Sequence, residues 1–389
     1  MAKERTPHLG FLDGLRALAS FYVLLFHEAN PKLETAEPLS PGLGWLYAVL
    51  DQGRHSVVFF IVLSGYSLML PVARSGIWEL NGGFWRYIQR RGRRILPPYY
   101  AALFVSLLLI VGYNSLSARV APGQSVDAAL SPGSILSHLF LLHNLSFDWA
   151  FRINGPMWSV ATEWQIYFIL PLLLLPLARR VGMPLMVALA WLATSWPSFV
   201  LPDSVNLFWA SPWFVGSFAL GMYGAVTSFA PVDPAAPAPR RELPWTPIAA
   251  VLFVLVVVLL SVHPNWRYPL IDLPISLFAF AWINACAQLV KAGRSNLMLR
   301  VLQSRALVYS AGFSYSLYLV QHPILRLTEK AFAKLRLSHD ANLLAHLFAV
   351  TPIVVAVAWV FSELVERPFT NGGVLIPALK RRFSARAAA

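Results

Sequence analysis

The chain has 389 residues, of which 57% are hydrophobic and only 13% charged, with a formal net charge of +13 and one cysteine. That apolar content exceeds what a soluble domain uses. The lone Cys286 allows neither an intrachain disulfide nor a thiolate metal cluster, and the nine histidines form no metal-ligand motif, so no metal is expected.

Apolar runs of ~20 residues recur along the whole length, which is the length of helix that crosses a bilayer. The pattern predicts an all-α polytopic membrane protein of about ten transmembrane helices, at 9–29, 54–73, 95–113, 157–178, 183–201, 209–228, 245–263, 269–290, 307–326 and 341–361. An even number puts both termini on one side. With the termini in the cytoplasm, 21 of the 31 basic residues fall inside, nine outside and Arg16 within the membrane. That is the positive-inside distribution, and it accounts for the net charge without nucleic acid as a partner. Residues 1–370 form the integral-membrane domain, and 371–389 a basic cytoplasmic tail against the lipid surface. No cleavable leader is evident, so the first span is read as retained. The expected location is the plasma (inner) membrane, with multiple passes.

The first span carries the strongest chemical signal. It contains Asp13, Arg16, Ser20 and His27. With Arg16 at zero and ~100° per residue, these fall near 60°, 0°, 40° and 20°, with His27 ~16 Å further along. A charged stripe of this kind faces protein or water rather than lipid. His27 is suited to act as a general base, because neutral imidazole titrates near working pH. Arg16 either binds an anionic part of a ligand or pairs with Asp13 to hold the span.

Further along, Arg90, Arg91, Arg93 and Arg94 cluster in the loop before the third span, where they suit phosphate or anionic headgroups. Between the third and fourth spans, 114–156 forms an outside segment. Its apolar piece Ile135–Leu142 suits a re-entrant or interfacial helix, and its His143, Asn144, Asp148 and Trp149 suit a carbohydrate or an aromatic belt. In the fourth span Ser159, Glu163 and Tyr167 are spaced i, i+4, i+8 and share a face. Ser314, Tyr318 and His322 repeat that spacing in the ninth, with Gln321 close in angle. These residues either bind a hydroxylated ligand or clamp helices together. Ser64-Gly65 in the second span permits close helix approach, read as packing around the first span. The Pro/Ala-rich stretch 231–239 reads as a cytoplasmic linker.

Taken in order, Phe11-Leu-Asp-Gly-Leu-Arg16 with His27, Phe59-Phe-Ile-Val-Leu-Ser-Gly65, Arg91-Gly-Arg-Arg94-Ile-Leu-Pro97, Trp158-Ser-Val-Ala-Thr-Glu163, Ser314-Tyr-Ser-Leu-Tyr318 and Glu366-Arg-Pro368 resemble the signature blocks of the membrane-bound acyltransferase 3 family, from 9 to 368. Two positions depart from the pattern. Trp164 stands where many members have a second glutamate. Gln321 stands where many have a histidine, with His322 one residue later, and no role carries over to His322.

The resemblance implies an enzyme, an acyltransferase that O-acylates a carbohydrate or glycosylated acceptor (a surface polysaccharide, a lipid-linked sugar or a macrolide-type metabolite). It implies a stand-alone member without a fused esterase-like domain, acting directly or through a separate acyl-accepting partner protein. Acyl-CoA, with acetyl-CoA as the leading choice, would be a co-substrate, and no cofactor would be bound permanently. His27, Glu163, Arg16 and Asp13 are then the expected catalytic group. Arg91, Arg94 and Arg90 would anchor the donor, and Tyr167, Ser314, Tyr318 and Gln321 would bind the acceptor. The alternative is a transporter or flippase that uses the intramembrane Arg and His for solute or proton movement.

Overall fold

The computed structural model describes residues 9–29, 38–120, 130–202, 207–231, 243–263, 266 and 268–370. The linker and the basic tail read from the sequence lie outside these. Every regular element among the described residues is helical. In chain order these are α1 (Gly10–Ala29), α2 (Pro41–Leu50), α3 (Ser56–Ser75), α4 (Gly83–Val120), α5 (Pro132–Leu139), α6 (Phe147–Ala150), α7 (Met157–Ile169), α8 (Leu175–Val181), α9 (Met183–Ser195), α10 (Pro197–Val200), α11 (Phe214–Phe229), α12 (Trp245–Val262), α13 (Tyr268–Lys291), α14 (Leu297–Leu302), α15 (Arg305–Ala311), α16 (Ser314–Ala333), α17 (His339–Ala345), α18 (Thr351–Phe361) and α19 (Arg367–Thr370). Single π-helical turns at Leu170–Leu174, His346–Val350 and Ser362–Glu366 join α7 to α8, α17 to α18 and α18 to α19.

The protein is an all-α polytopic membrane protein. By length and composition seven described helical stretches can cross a membrane: Pro41–Ser75, Gly83–Gly112, Met157–Val181, Met183–Val200, Trp245–Val262, Tyr268–Lys291 and His339–Thr370. The three other expected spans are helices that fall short of that measure. α1 carries the polar stripe, α11 has only 16 residues, and the expected 307–326 span is two helices, α15 and α16, broken at Gly312–Phe313. The arginine cluster is also not in a loop. α4 runs for 38 residues from Gly83, through the arginines and through Pro97 and Pro98. Gly82 and Gly83, both at positive φ, turn the chain into it; glycine takes that conformation at no steric cost.

The chain divides into two compact units. The first comprises Met1–Phe21, His55–Asn81 and Ile169–Gly312; the second comprises Tyr22–Arg54, Gly82–Phe168 and Phe313–Ala389. In the first, α11 packs against α3, α9 and α13, and α12 lies on α13. The α3–α11 crossing is made by reciprocal glycines. A Cβ on Gly65 would strike the carbonyl of Phe218, and one on Gly221 would strike that of Val62. So Gly65 does mark a close approach, but its neighbour is α11. Polar pairs hold α11 to α13. Trp213 Nε1 donates to Asp272 (2.8 Å), Ser276 donates to Ser217 (3.0 Å), and Ser228 and Thr227 donate to Asn284. In membrane interiors such bonds replace the hydrophobic drive that lipid removes. In the second unit α16 packs on α18 and α4, and the Ser362–Glu366 turn and α19 also pack on α4.

Candidate active site

Asp13 and Arg16 belong to the first unit. Arg16 donates to Asp13 Oδ1 at 3.0 Å and to Ser67 Oγ on α3 at 2.5 Å. Of the two readings left open by the sequence, the helix-holding pair is therefore present, with Ser67 as a partner that the sequence did not reveal. Ser20 donates to the carbonyl of Ala17 and is spent on its own helix. Gly14, between the two charged residues, is needed for contact: a Cβ there would overlap the carbonyl of Leu302.

His27 belongs to the second unit. Its Nδ1 is buried with no hydrogen-bond partner of ordinary geometry, and the side chain of Gln321, from α16, reaches its ring. Gln321 is itself 1% exposed; its Nε2 donates to the Tyr318 carbonyl, and its Oε1 is buried. One turn earlier on α16, the Tyr318 hydroxyl stands 2.6 Å from Ser159 Oγ on α7 and 3.0 Å from the Pro156 carbonyl. On α7, Tyr167 donates to Glu163 Oε1 at 2.6 Å. Tyr315 and Tyr318 both lie within electrostatic range of Glu163. The i, i+4, i+8 face of α7 thus meets the polar face of α16 in one unit. Trp164 turns away into an aromatic cluster with Tyr167 and Phe168. Ser314 is buried at the start of α16. His322 Nδ1 accepts from the Gly155 amide at 3.3 Å.

The arginines separate by exposure. Arg90 is exposed, whereas Arg91 is half-buried, with Nε fully enclosed, and lies with Arg90 and Glu163 around Tyr87. Arg94 is exposed and within electrostatic range of Glu366. In the sequence Glu366 stands out only as part of the Glu366-Arg-Pro368 block, which gives it no role. It accepts from the Ser316 hydroxyl (2.5 Å) and amide (3.2 Å) and so neutralises the first turn of α16. Tyr315 donates to the carbonyl of Ile95 at 3.1 Å. Arg94–Ile95, the start of α16 and Glu366 therefore form one polar joint.

In the 130–156 segment, His143 and Asn144 are fully buried. Asn144 donates to Thr162 and Gln165, Gln165 donates to Leu141, and Tyr99 and Tyr100 donate to the carbonyls of His138 and Leu139. The rings of His138 and His143 stack at 3.9 Å and 8°. The hydrogen bonds of Asn144, Gln165, Tyr99 and Tyr100 clasp 130–156 onto α4 and α7, and the buried His143 and Asn144 offer no surface to a carbohydrate.

This geometry defines a class: a polytopic helical membrane protein with a histidine, a glutamate, tyrosines and arginines gathered within one helical unit. The chain belongs to the acyltransferase 3 family, whose profile, described as an acyltransferase domain, matches residues 9–363. Among similar proteins are the "Putative peptidoglycan O-acetyltransferase YrhL" of Bacillus subtilis, 31% identical over 202 residues (50% of this chain, 27% of the relative), and the peptidoglycan O-acetyltransferase OatA of Listeria monocytogenes, 25% identical over 335 residues (82% and 49%). The chain thus spans half or less of the length of these relatives. No solved structure gives a significant match.

Proposed function

We propose that this chain is an O-acyltransferase that moves an acetyl group from acetyl-CoA to a hydroxyl of a cell-surface glycan at the plasma membrane. The observation that carries the reading is the meeting of His27 and Gln321 inside the unit that also holds Glu163, Tyr318 and Arg91. The names of the relatives supply the acetyl group and the glycan as chemical classes.

His27 takes the proton of the acceptor hydroxyl as its oxygen attacks the thioester carbonyl. The tetrahedral intermediate collapses, the C–S bond breaks, and the proton returns to the thiolate to give free CoA. Gln321 orients the imidazole by its side-chain contact, and Tyr318 and the Glu163–Tyr167 pair hold the acceptor. Arg91 and Arg90 bind the CoA phosphates as charge-assisted partners. Arg94 contributes while also facing Glu366. Asp13 and Arg16 fix the first half of α1. A separate acyl-accepting partner protein would take the acetyl group by the same attack on the thioester.

The test is thiol release from acetyl-CoA by the purified full chain with a muropeptide acceptor. Wild-type protein is expected to turn over, and His27→Ala to lose activity by at least ~100-fold. A stable acetyl-enzyme trapped from labelled acetyl-CoA, or substantial turnover by His27→Ala, would overturn direct attack.

A further inference from the structure

His27 is followed by Glu28, the other polar side chain in the last turn of α1. Glu28 is 0% exposed, and its Oε2 stands 2.7 Å from Nδ1 of His346, which is also 0% exposed. Glu28 Oε1 and His346 Nε2 are both buried without a hydrogen-bond partner, so each side chain depends on the other for its polar contact. A carboxyl group in such surroundings is tolerated only when paired.

The surroundings make the pair a fixture for the end of α1. His346 opens the π turn His346–Val350. Such a turn inserts one extra residue and re-aims the side chains around it, and it is common at functional sites. The ring also meets Phe332 of α16 edge-on, with centroids 5.2 Å apart. Ala29 at the end of α1 packs with Leu50 and Leu343 in an apolar cluster that Leu347, the residue after His346, also joins. On another side, the backbone at Gly53 presses on Tyr22 and Phe26, where a Cβ would clash. Consecutive residues of one helix point ~100° apart. With Glu28 tied to His346 and His27 against Gln321, the rotation of this last turn is fixed by two neighbours.

We propose that Glu28 and His346 form a buried positioning dyad that aims the His27 ring. The proposal rests on the reading of His27 as the base. The dyad touches neither donor nor acceptor. It sets the angle at which α1 presents its imidazole, and a displacement of about 1 Å at a reacting group costs on the order of 100-fold in rate.

The experiment uses the full chain in lipid nanodiscs. Glu28→Ala and His346→Ala are each expected to lower kcat for thiol release from acetyl-CoA with a muropeptide acceptor by at least about tenfold, with KM for acetyl-CoA within about twofold. The double variant should be no slower than the singles, because the two act as one unit. Glu28→Gln, which still accepts from Nδ1–H, should recover kcat to within about threefold of wild type.

Ring 15N signals of His27, assigned by their loss in His27→Asn, provide an arm that needs no turnover. They should move in Glu28→Ala and stay in place in Glu28→Gln. Unmoved His27 signals in both variants would overturn the dyad, as would Ala variants that lose thermal stability but keep kcat. A wild-type protein that releases no thiol would overturn the acyl-CoA reading, and the His27 signals would still decide the dyad.

Discussion

Single residues in this chain are constrained chiefly by what lies across the helix from them. Gly14 is the clearest case. Glycine weakens a helix by its flexibility, yet here it lets α1 touch the carbonyl of Leu302. Gly14→Ala is expected to cost at least ~2 kcal/mol through overpacking, read as a fall in the melting temperature of the detergent-solubilised protein. Arg16→Ala removes bonds to Asp13 and Ser67 and should cost about 1–3 kcal/mol. Arg91 and Arg94 should behave differently. Arg91→Gln is expected to raise KM for acetyl-CoA about tenfold with kcat nearly unchanged, the signature of lost uniform binding. Arg94→Gln should also lower the melting temperature, because Arg94 faces the carboxylate that caps α16. Steady-state kinetics beside a thermal melt would distinguish the two.

At the scale of elements, the 130–156 segment carries a pH dependence of its own. Burial pushes His138 down from the ordinary imidazole value of 6.5 to about 4; burial, reinforced by the adjacent His138, pushes His143 down to about 3. The unfolded chain therefore binds protons below pH 6.5 while the folded chain does not, so stability falls as pH drops from 6.5 toward 4 and levels off above neutrality. The 130–156 clasp should loosen over that window. Limited proteolysis at pH 5 against pH 7.5 is expected to cut this segment faster at the lower pH, and His138→Asn/His143→Asn should remove the difference.

What the sequence made legible follows the same division into elements. The face of α7 was visible because i, i+4, i+8 spacing survives folding, and Ser159, Glu163 and Tyr167 do bond across that face and to its neighbour. Glu28 stands beside His27 without a pattern of its own, and His346 sits in an apolar run 318 residues away, so no local pattern joins them. The arginine cluster reads as a loop because its charge hides a helix that starts at Gly83. The break at Gly312–Phe313 is invisible in the sequence because hydropathy runs straight through it.

For the molecule as a whole, orientation is the open quantity with a direct test. Cys286 is fully buried, so a single new cysteine reports without background. The positive-inside reading of the sequence, with both termini in the cytoplasm, predicts that Ser384→Cys reacts with a membrane-impermeant maleimide in inverted vesicles and stays unlabelled in intact cells.

The division into two units also has a consequence for how the chain is made. Each unit is assembled from three separated stretches, and the second, which holds His27, Gln321 and Glu163, needs 22–54, 82–168 and everything from 313 onward. His27 and Glu28 emerge from the ribosome early, but their partners Gln321 and His346 emerge last. Contacts of such long sequence separation form slowly and leave polar groups waiting in lipid. A nascent chain stalled after residue 312 should therefore hold a protease-sensitive second unit in the membrane. Productive insertion is then a race between translation of the final helices and quality control of an unpaired histidine and glutamate.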